Sequence, residues 1–156
     1  MSSTDSSEAS FTIEDVAQRL GHLRWLELSL FEMLGEAVTE ISDAPAKLAA
    51  SLLSRRAGER AEHLGVVIPL INGLDVEART IPPGSEVSES DVATVVAAAR
   101  ATPASERLEA ATRRIVPLVA QDYETLLGGT GPVADAPVRR VARLCRDDLA
   151  EWGKSD

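Results

Sequence analysis

The feature that most constrains this chain is a long, uninterrupted helical pattern near its start. The run from Ile13 to Ile41 contains no proline. Its apolar residues recur at helical spacing, at Val16, Leu20, Leu23, Leu30, Leu34, Val38 and Ile41. Thr12 is suited to cap the first turn, where Glu14 and Asp15 face the positive end of the helix dipole. The pattern predicts one helix about 43 Å long.

The rest of the chain predicts three more long helices. Asp43 caps the second, which runs to about residue 70 with an apolar stripe at Leu48, Leu52, Val66 and Leu70. A short helix over about 89–100 precedes the third long helix, which is predicted over about 102–127 with a kink at Pro117. The fourth is predicted over about 135–152. No segment alternates with the two-residue period of a strand, so we expect no sheet.

These segments predict an all-α, four-helix bundle made of two antiparallel hairpins. Short loops join the helices within each hairpin, and a long crossover over residues 72–88, followed by the short helix, joins the hairpins. Residues 1–11 are rich in Ser, Asp and Glu and are predicted to be a disordered tail. Residues 12–153 are then one helical domain, as suits a chain of 156 residues.

Composition excludes several classes of function. The net charge of −9 opposes nucleic-acid binding, which needs a basic surface. The longest apolar run, Val66 to Ile71, is far shorter than the ~20 residues of a membrane span. Cys145 is the one cysteine, so no disulfide can form within the chain, and the N-terminal residues do not resemble a signal peptide. We therefore expect a cytoplasmic protein that binds neither nucleic acid nor membranes.

Polar residues interrupt the predicted apolar stripes. Glu27 stands at a core position of the first helix, and Asp148 does so in the fourth. In the second helix Glu59 and His63 are four residues apart, so they share one face. In the third helix the stripe reaches Asp122, beside Tyr123. A buried carboxylate is costly without a partner, so these acids require a metal, an arginine, a proton or water.

The chain resembles the ferritin-like superfamily, and in particular small actinobacterial ferritin-like proteins of poorly known function. The resemblance covers about residues 18–153. It depends on the segments Leu20–Glu27, Phe31–Gly35, Arg60–His63, Pro117–Tyr123, Asp135–Val138 and Asp147–Leu149. It implies a ferritin-like four-helix bundle whose facing helices carry Glu and Glu-x-x-His metal ligands.

The ligand pattern that the resemblance implies is incomplete here. Glu27 matches the first acid and His63 matches the histidine of the second helix, whose acid is either Glu59 or Glu62. Asp148 has no histidine three residues later, where Glu151 stands. Arginines, including Arg60, offer the acids a charge partner. We therefore expect a metal-free polar cavity with no cofactor. Iron or manganese is the alternative, with the ligands Glu27, Glu59, Glu62, His63 and Asp148.

The leading functional hypothesis is a tailoring or ring-forming enzyme of actinobacterial specialised metabolism. Its catalytic residues would be Glu27, as a buried acid or base, His63 as its partner in the same cavity, and Tyr123 as a hydroxyl donor. Small-molecule substrate contacts are expected from Trp25, Arg56, Glu59 and Asp148. One alternative is a metal-dependent oxidase or oxygenase. The other is a non-catalytic bundle that binds a small molecule or a protein.

The sequence also predicts a homodimer. Trp25, Leu26, Phe31 and Met33 place apolar side chains on more than one face of the first helix. A single buried stripe cannot cover them all, so a second copy of the chain is expected to cover the rest.

Overall fold

A computed structural model describes residues 10–82 and 89–152, and 80% of these residues are helical. The helices are α1 (Ile13–Glu40), α2 (Ala44–Val67), α3 (Val76–Arg79), α4 (Glu89–Ala99), α5 (Ala104–Ala110), α6 (Val116–Gly129) and α7 (Ala136–Trp152). A π-helical turn, Ala111–Ile115, joins α5 to α6. No strand occurs in the described ranges. The predicted all-α fold class is therefore confirmed.

Local signals fixed the starts of the first two helices as predicted. The Thr12 hydroxyl accepts the backbone N–H of Asp15 at 3.1 Å, and the Asp15 carboxylate accepts the backbone N–H of Thr12 at 2.8 Å. Asp43 accepts the backbone N–H of Ala46 at 2.9 Å at the start of α2. These bonds satisfy N–H groups that the first helical turn leaves without partners. The predicted third helix is α5, the π-helical turn and α6 together. The irregular turn ends two residues before Pro117, whose missing N–H cannot join the helical hydrogen bonds.

The helices pack around one main core. α1 contacts α2 along the length of both helices, α2 also contacts α7, and α7 contacts α6. α5 and α6 close the core against α1. The arrangement is compatible with a helical bundle. Among the described residues, no helix is both long enough and apolar enough to cross a membrane.

The prediction of which face of α2 packs inward is wrong. Leu48, Leu52 and Val66, and Leu70 beyond the end of the helix, are exposed. The buried side chains of α2 are Ala50, Leu53, Ser54, Ala57, Arg60, Ala61 and Leu64. Small alanine side chains let the α2 backbone approach α1 closely, so the alanine-rich face packs inward and the larger leucines stay outside. Two residues of the homodimer argument are also buried within the chain, Leu26 and Met33.

The segment after α2 that contains α3 is anchored to α1 through residues 77–80. The ideal position of a Cβ atom on Gly21 would be 2.0 Å from the carbonyl oxygen of Arg79, so only glycine permits this approach. The Arg24 guanidinium donates to Thr80 and pairs with Glu77 at 3.1 Å. Phe11, assigned to the predicted tail, donates its backbone N–H to the Gly129 carbonyl at 2.8 Å. Residues 1–9 of the predicted tail and residues 83–88 of the predicted crossover lie outside the described residues.

Candidate functional site

Glu27 lies on the inner face of α1 and has 0% exposed surface. Leu20, Leu23, Leu30 and Leu34 occupy the same buried stripe of the helix. The sequence prediction that Glu27 points into the interior is therefore confirmed. An ionised carboxylate in such a place requires strong hydrogen-bond donors.

Arg60 supplies two of these donors from α2. Its Nε donates to Glu27 Oε1 at 2.8 Å, and its Nη2 donates to Glu27 Oε2 at 2.9 Å. The Arg60 side chain is itself 3% exposed. The planar guanidinium therefore engages both carboxylate oxygens in a bidentate pair, the geometry in which arginine binds a carboxylate most strongly.

Tyr123 supplies a third donor from α6. Its hydroxyl donates to Glu27 Oε1 at 2.9 Å, and its side chain is fully buried. Cys145 of α7 is buried in the same core, where burial raises the pKa of its thiol to about 11. The thiol is therefore protonated at neutral pH, and it is a poor nucleophile in this state.

Asp148 of α7 connects the buried pair to the surface. Arg60 Nη1 donates to Asp148 Oδ2 at 2.6 Å, and Arg56 Nη1 donates to Asp148 Oδ1 at 3.0 Å. The Asp148 side chain is 31% exposed and the Arg56 side chain is 40% exposed. We call Glu27, Arg60, Tyr123, Asp148 and Arg56 the interior polar network. It joins α1, α2, α6 and α7 through alternating charges.

Burial and pairing act in opposite directions on these groups. Burial raises the pKa of Glu27, while the hydrogen bonds from Arg60 and Tyr123 and the charge of Arg60 oppose that shift. Burial disfavours the charge of Arg60, but its hydrogen bonds to Glu27 and Asp148 and the charge of Glu27 outweigh this effect and raise the pKa of Arg60. Burial, with the charge of Glu27, raises the pKa of Tyr123 well above its usual value. Tyr123 is therefore a hydrogen-bond donor to Glu27 at neutral pH.

The prediction that His63 shares an interior cavity with Glu27 is wrong. His63, Glu59 and Glu62 are all exposed on α2. Glu59 pairs with Arg55 at 2.9 Å on that surface. The error follows from the choice of the inner face of α2, because a helix face that carries residues 59 and 63 points away from a face that carries Ala57, Arg60 and Leu64.

Of the other predicted site residues, the structure gathers some and separates others. Tyr123, Asp148 and Arg56 join Glu27 in the interior polar network. Trp25 is partly buried at the edge of the main core. Asp122, next to Tyr123, is partly buried outside the network. Burial and the nearby charge of Asp91 raise its pKa to about 6, against a smaller opposing effect of Arg19.

The five residues predicted as alternative metal ligands do not form one set. Glu27 and Asp148 are bridged by Arg60, while Glu59, Glu62 and His63 lie on the outer surface of α2. Within residues 10–82 and 89–152, no three His, Cys, Asp or Glu side chains are grouped so that they could hold a metal ion. The guanidinium of Arg60 carries the positive charge between the two acids, the role predicted for an arginine near these acids.

A groove of about 530 Å³ lies between α1 and α2 at the surface. Leu28, Phe31, Gly35, Gly58 and Glu59 are among the residues that line it, and none of Glu27, Arg60 or Tyr123 does so. The Phe31 ring covers Gly58, where an added Cβ would lie 3.0 Å from the ring. The groove is therefore distinct from the interior polar network.

Comparisons of the chain with models of protein families, with curated proteins and with solved structures found no match.

Proposed function

We propose that this protein is a ferritin-like bundle that binds a partner protein through the outer surface of α2. In this proposal the interior polar network is structural, and Arg60 takes the place that a metal ion has in the superfamily. The proposal corresponds to the non-catalytic alternative of the sequence analysis. One observation carries it, the exposure of large apolar side chains on α2.

The exposed apolar side chains of α2 lie on one side of the helix. Leu48 is 61% exposed, Leu52 is 42% exposed and Val66 is 85% exposed. With Arg55, Glu59 and Glu62 they form the outer α2 face, which lies opposite the alanine-rich face that packs on α1. Exposed apolar residues scattered singly are common, but these three share one side of α2, with Leu48 and Leu52 one turn apart near its start and Val66 near its end. A partner helix that lies along this side would remove all three from water.

The interior polar network supports a structural role rather than a catalytic one. Both oxygens of Glu27 accept hydrogen bonds, two from Arg60 and one from Tyr123. A catalytic acid or base must reach its substrate within hydrogen-bond distance. Glu27 is fully buried, so a substrate could contact it only if the residues around it moved.

Site-specific photocrosslinking in living cells tests the proposal. A photoreactive amino acid replaces Val66 on the outer α2 face and, in a matched control, Val133 in the loop between α6 and α7. Both valines are 85% exposed, so they differ in location and not in accessibility. We expect a covalent protein adduct from position 66 and none from position 133. No adduct from position 66, or equal adducts from both, would refute the proposed function.

A second function, acid–base catalysis on a small molecule, is favoured by one observation. Asp148 is partly exposed and contacts Arg60, which holds Glu27, so the network leads from the surface to a buried carboxyl group of raised pKa. If Glu27 is catalytic, Glu27→Gln abolishes turnover of any substrate while the fold is retained. Glu14→Gln, which changes an arginine-paired glutamate at the start of α1, is the control. Equal activity of both variants would exclude this function.

A further inference from the structure

We propose that the partner on the outer α2 face is a second copy of this chain, with the two α2 helices antiparallel about a two-fold axis at the level of Ala57. This inference rests on the proposed function and names its partner. It also replaces the basis on which the sequence analysis expected a homodimer, because Leu26 and Met33 of α1 are buried within one chain.

The outer α2 face has the spacing of a coiled-coil seam. Its residues follow one another at intervals of four, three, four, three and four, at Leu48, Leu52, Arg55, Glu59, Glu62 and Val66. This is the alternating interval of the a and d positions of a heptad. All six residues are exposed. The seam spans about 27 Å of α2, so it is long enough to contact a second helix over several turns.

The seam is complementary to itself only when the second helix runs in the opposite direction. In an antiparallel pair centred at residue 57, Leu48 faces the partner's Val66 and Arg55 faces the partner's Glu59. Leu52 faces the partner's Glu62, whose methylene groups can cover it. Two-fold symmetry repeats each contact, so apolar pairs lie at both ends and opposite charges meet at the centre.

A parallel pair of the same seam would be unfavourable. It would place Arg55 against Arg55 of the partner subunit and Glu59 against Glu59 of the partner subunit. Like charges at such positions repel, so the charge pattern selects the antiparallel direction. Charged residues at the centre of a seam cost stability relative to leucine, but they fix the register and direction of the helices.

Within one chain Arg55 and Glu59 already form an exposed ion pair, with side chains that are 75% and 51% exposed. In the antiparallel dimer the two ion pairs meet at the axis and form a ring of four alternating charges. An ion pair of this exposure stabilises a monomer only slightly. Reversal of one charge is therefore expected to change association and to leave the fold intact.

A charge-reversal series tests the dimer and its register. The dissociation constant is measured by light scattering and by sedimentation over a dilution series of the purified full chain. We expect a wild-type dimer at about 0.1 mM, a concentration far above the dissociation constant of a specific homodimer. Arg55→Glu and Glu59→Arg are each expected to weaken it at least about tenfold, because each introduces two repulsive contacts. The double variant R55E/E59R restores opposite charges and should restore dimerisation.

The chain provides a matched control for this series. Arg113 and Glu109 form an ion pair of the same 2.9 Å length and nearly the same exposure, 76% and 51%, away from α2. Arg113→Glu should leave the dissociation constant unchanged. A monomeric wild type, or a double variant that stays as weak as the single variants, would overturn the dimer. Circular dichroism verifies that each variant is folded.

The crosslinking experiment separates this inference from the proposed function. An adduct at position 66 with twice the mass of the chain supports the dimer. An adduct of position 66 with a different protein, together with a monomeric purified chain, overturns the dimer and keeps the proposed function. No adduct at position 66 overturns both.

Discussion

Two arginine–glutamate pairs hold α1 in place, and both are bidentate but lie in different surroundings. Arg60 engages both oxygens of Glu27 in the middle of α1, and Arg79 engages both oxygens of Glu14 at its start. The Glu27 side chain is fully buried, whereas the Glu14 side chain is 47% exposed. Both arginines are nearly buried.

The pKa values of the two glutamates shift in opposite directions. Hydrogen bonds from Arg79 lower the pKa of Glu14, and the smaller effect of burial opposes them. Burial raises the pKa of Glu27, although each glutamate accepts three hydrogen bonds, two from its arginine and a third from Tyr123 at Glu27 or from Asn72 at Glu14. The difference shows that the hydrogen-bond pattern alone does not determine the energetics of an ion pair. Water can replace Arg79 beside Glu14, but nothing described in the structure can replace Arg60 beside Glu27.

Removal of the two arginines should therefore have unequal effects. Arg60→Met leaves a carboxylate buried without its charge partner, and we expect it to lower the free energy of unfolding by about 3–5 kcal/mol. Arg79→Met leaves Glu14 in contact with solvent and should lower the free energy of unfolding by a distinctly smaller amount. Urea denaturation at one fixed protein concentration measures both. An equal or larger loss for Arg79→Met would contradict the comparison.

A single methyl group should disturb the Glu14 end and leave the Glu27 end intact. Gly21→Ala would place a Cβ against the backbone carbonyl of Arg79, which is not free to rotate away. We expect a loss of about 1–3 kcal/mol, typical of overpacking. Gly128→Ala in α6 is the control, since an added Cβ there meets nothing within 4 Å. The control should be neutral or slightly stabilising, and a loss as large as that of Gly21→Ala would argue against the close approach.

Deletion of the tyrosine hydroxyl should have a smaller effect at the buried pair. Tyr123→Phe removes one of three donors to Glu27 and leaves both donors of Arg60 in place. A hydrogen bond to a charged group contributes about 1.5–3 kcal/mol, and we expect a loss at the lower end of this range because Arg60 remains. Thermal and urea denaturation measure the change. A loss equal to that of Arg60→Met would mean that the tyrosine is as important as the ion pair.

The smallest expected change in stability concerns Asp122, an aspartate close to the charge of Asp91. Asp122 has a pKa of about 6 because of burial and the charge of Asp91, against 3.8 as its ordinary value. The folded state therefore holds the proton more tightly than the unfolded state. The stabilisation of the folded state by protonated Asp122 is complete below pH 3.8, and it is lost as the pH rises to about 6.

Asp122→Asn should remove this pH dependence. We expect the variant to be more stable than the wild type at pH 7 by up to about 1 kcal/mol, a value reduced for the partial solvent exposure of the side chain. Below pH 3.8 the two proteins should be equally stable. A variant that is less stable at pH 7 would show that the carboxylate has a favourable partner.

Much of the fold could be predicted from local signals. The capping residues Thr12 and Asp43 and the absence of proline in α1 fixed the first helices. Glu27 was found because it interrupts a clean apolar stripe. The inner face of α2 could not be chosen correctly by the size of its side chains, because two faces compete and the alanine-rich one packs closer to α1. Tertiary packing, which no pattern within one helix contains, decided between them.

The same choice determined how much of the site could be predicted. Once α2 turns its Ala57–Leu64 face inward, Arg60 enters the interior and His63 leaves it. The signal was present, because Leu53, Ala57, Arg60 and Leu64 also follow helical spacing. Arg60 stands on this second stripe among small side chains, and an arginine at such a core position requires a buried acid as its partner.

The central claim is that Glu27 and Arg60 act as one structural pair. A double-mutant cycle with Glu27→Leu and Arg60→Met, measured as the free energy of unfolding, tests it most directly. We expect each single variant to lose about 3–5 kcal/mol and the double variant to lose only about 1–2 kcal/mol, since no unpaired charge remains between them. A double variant that loses the sum of the two single losses would contradict the account.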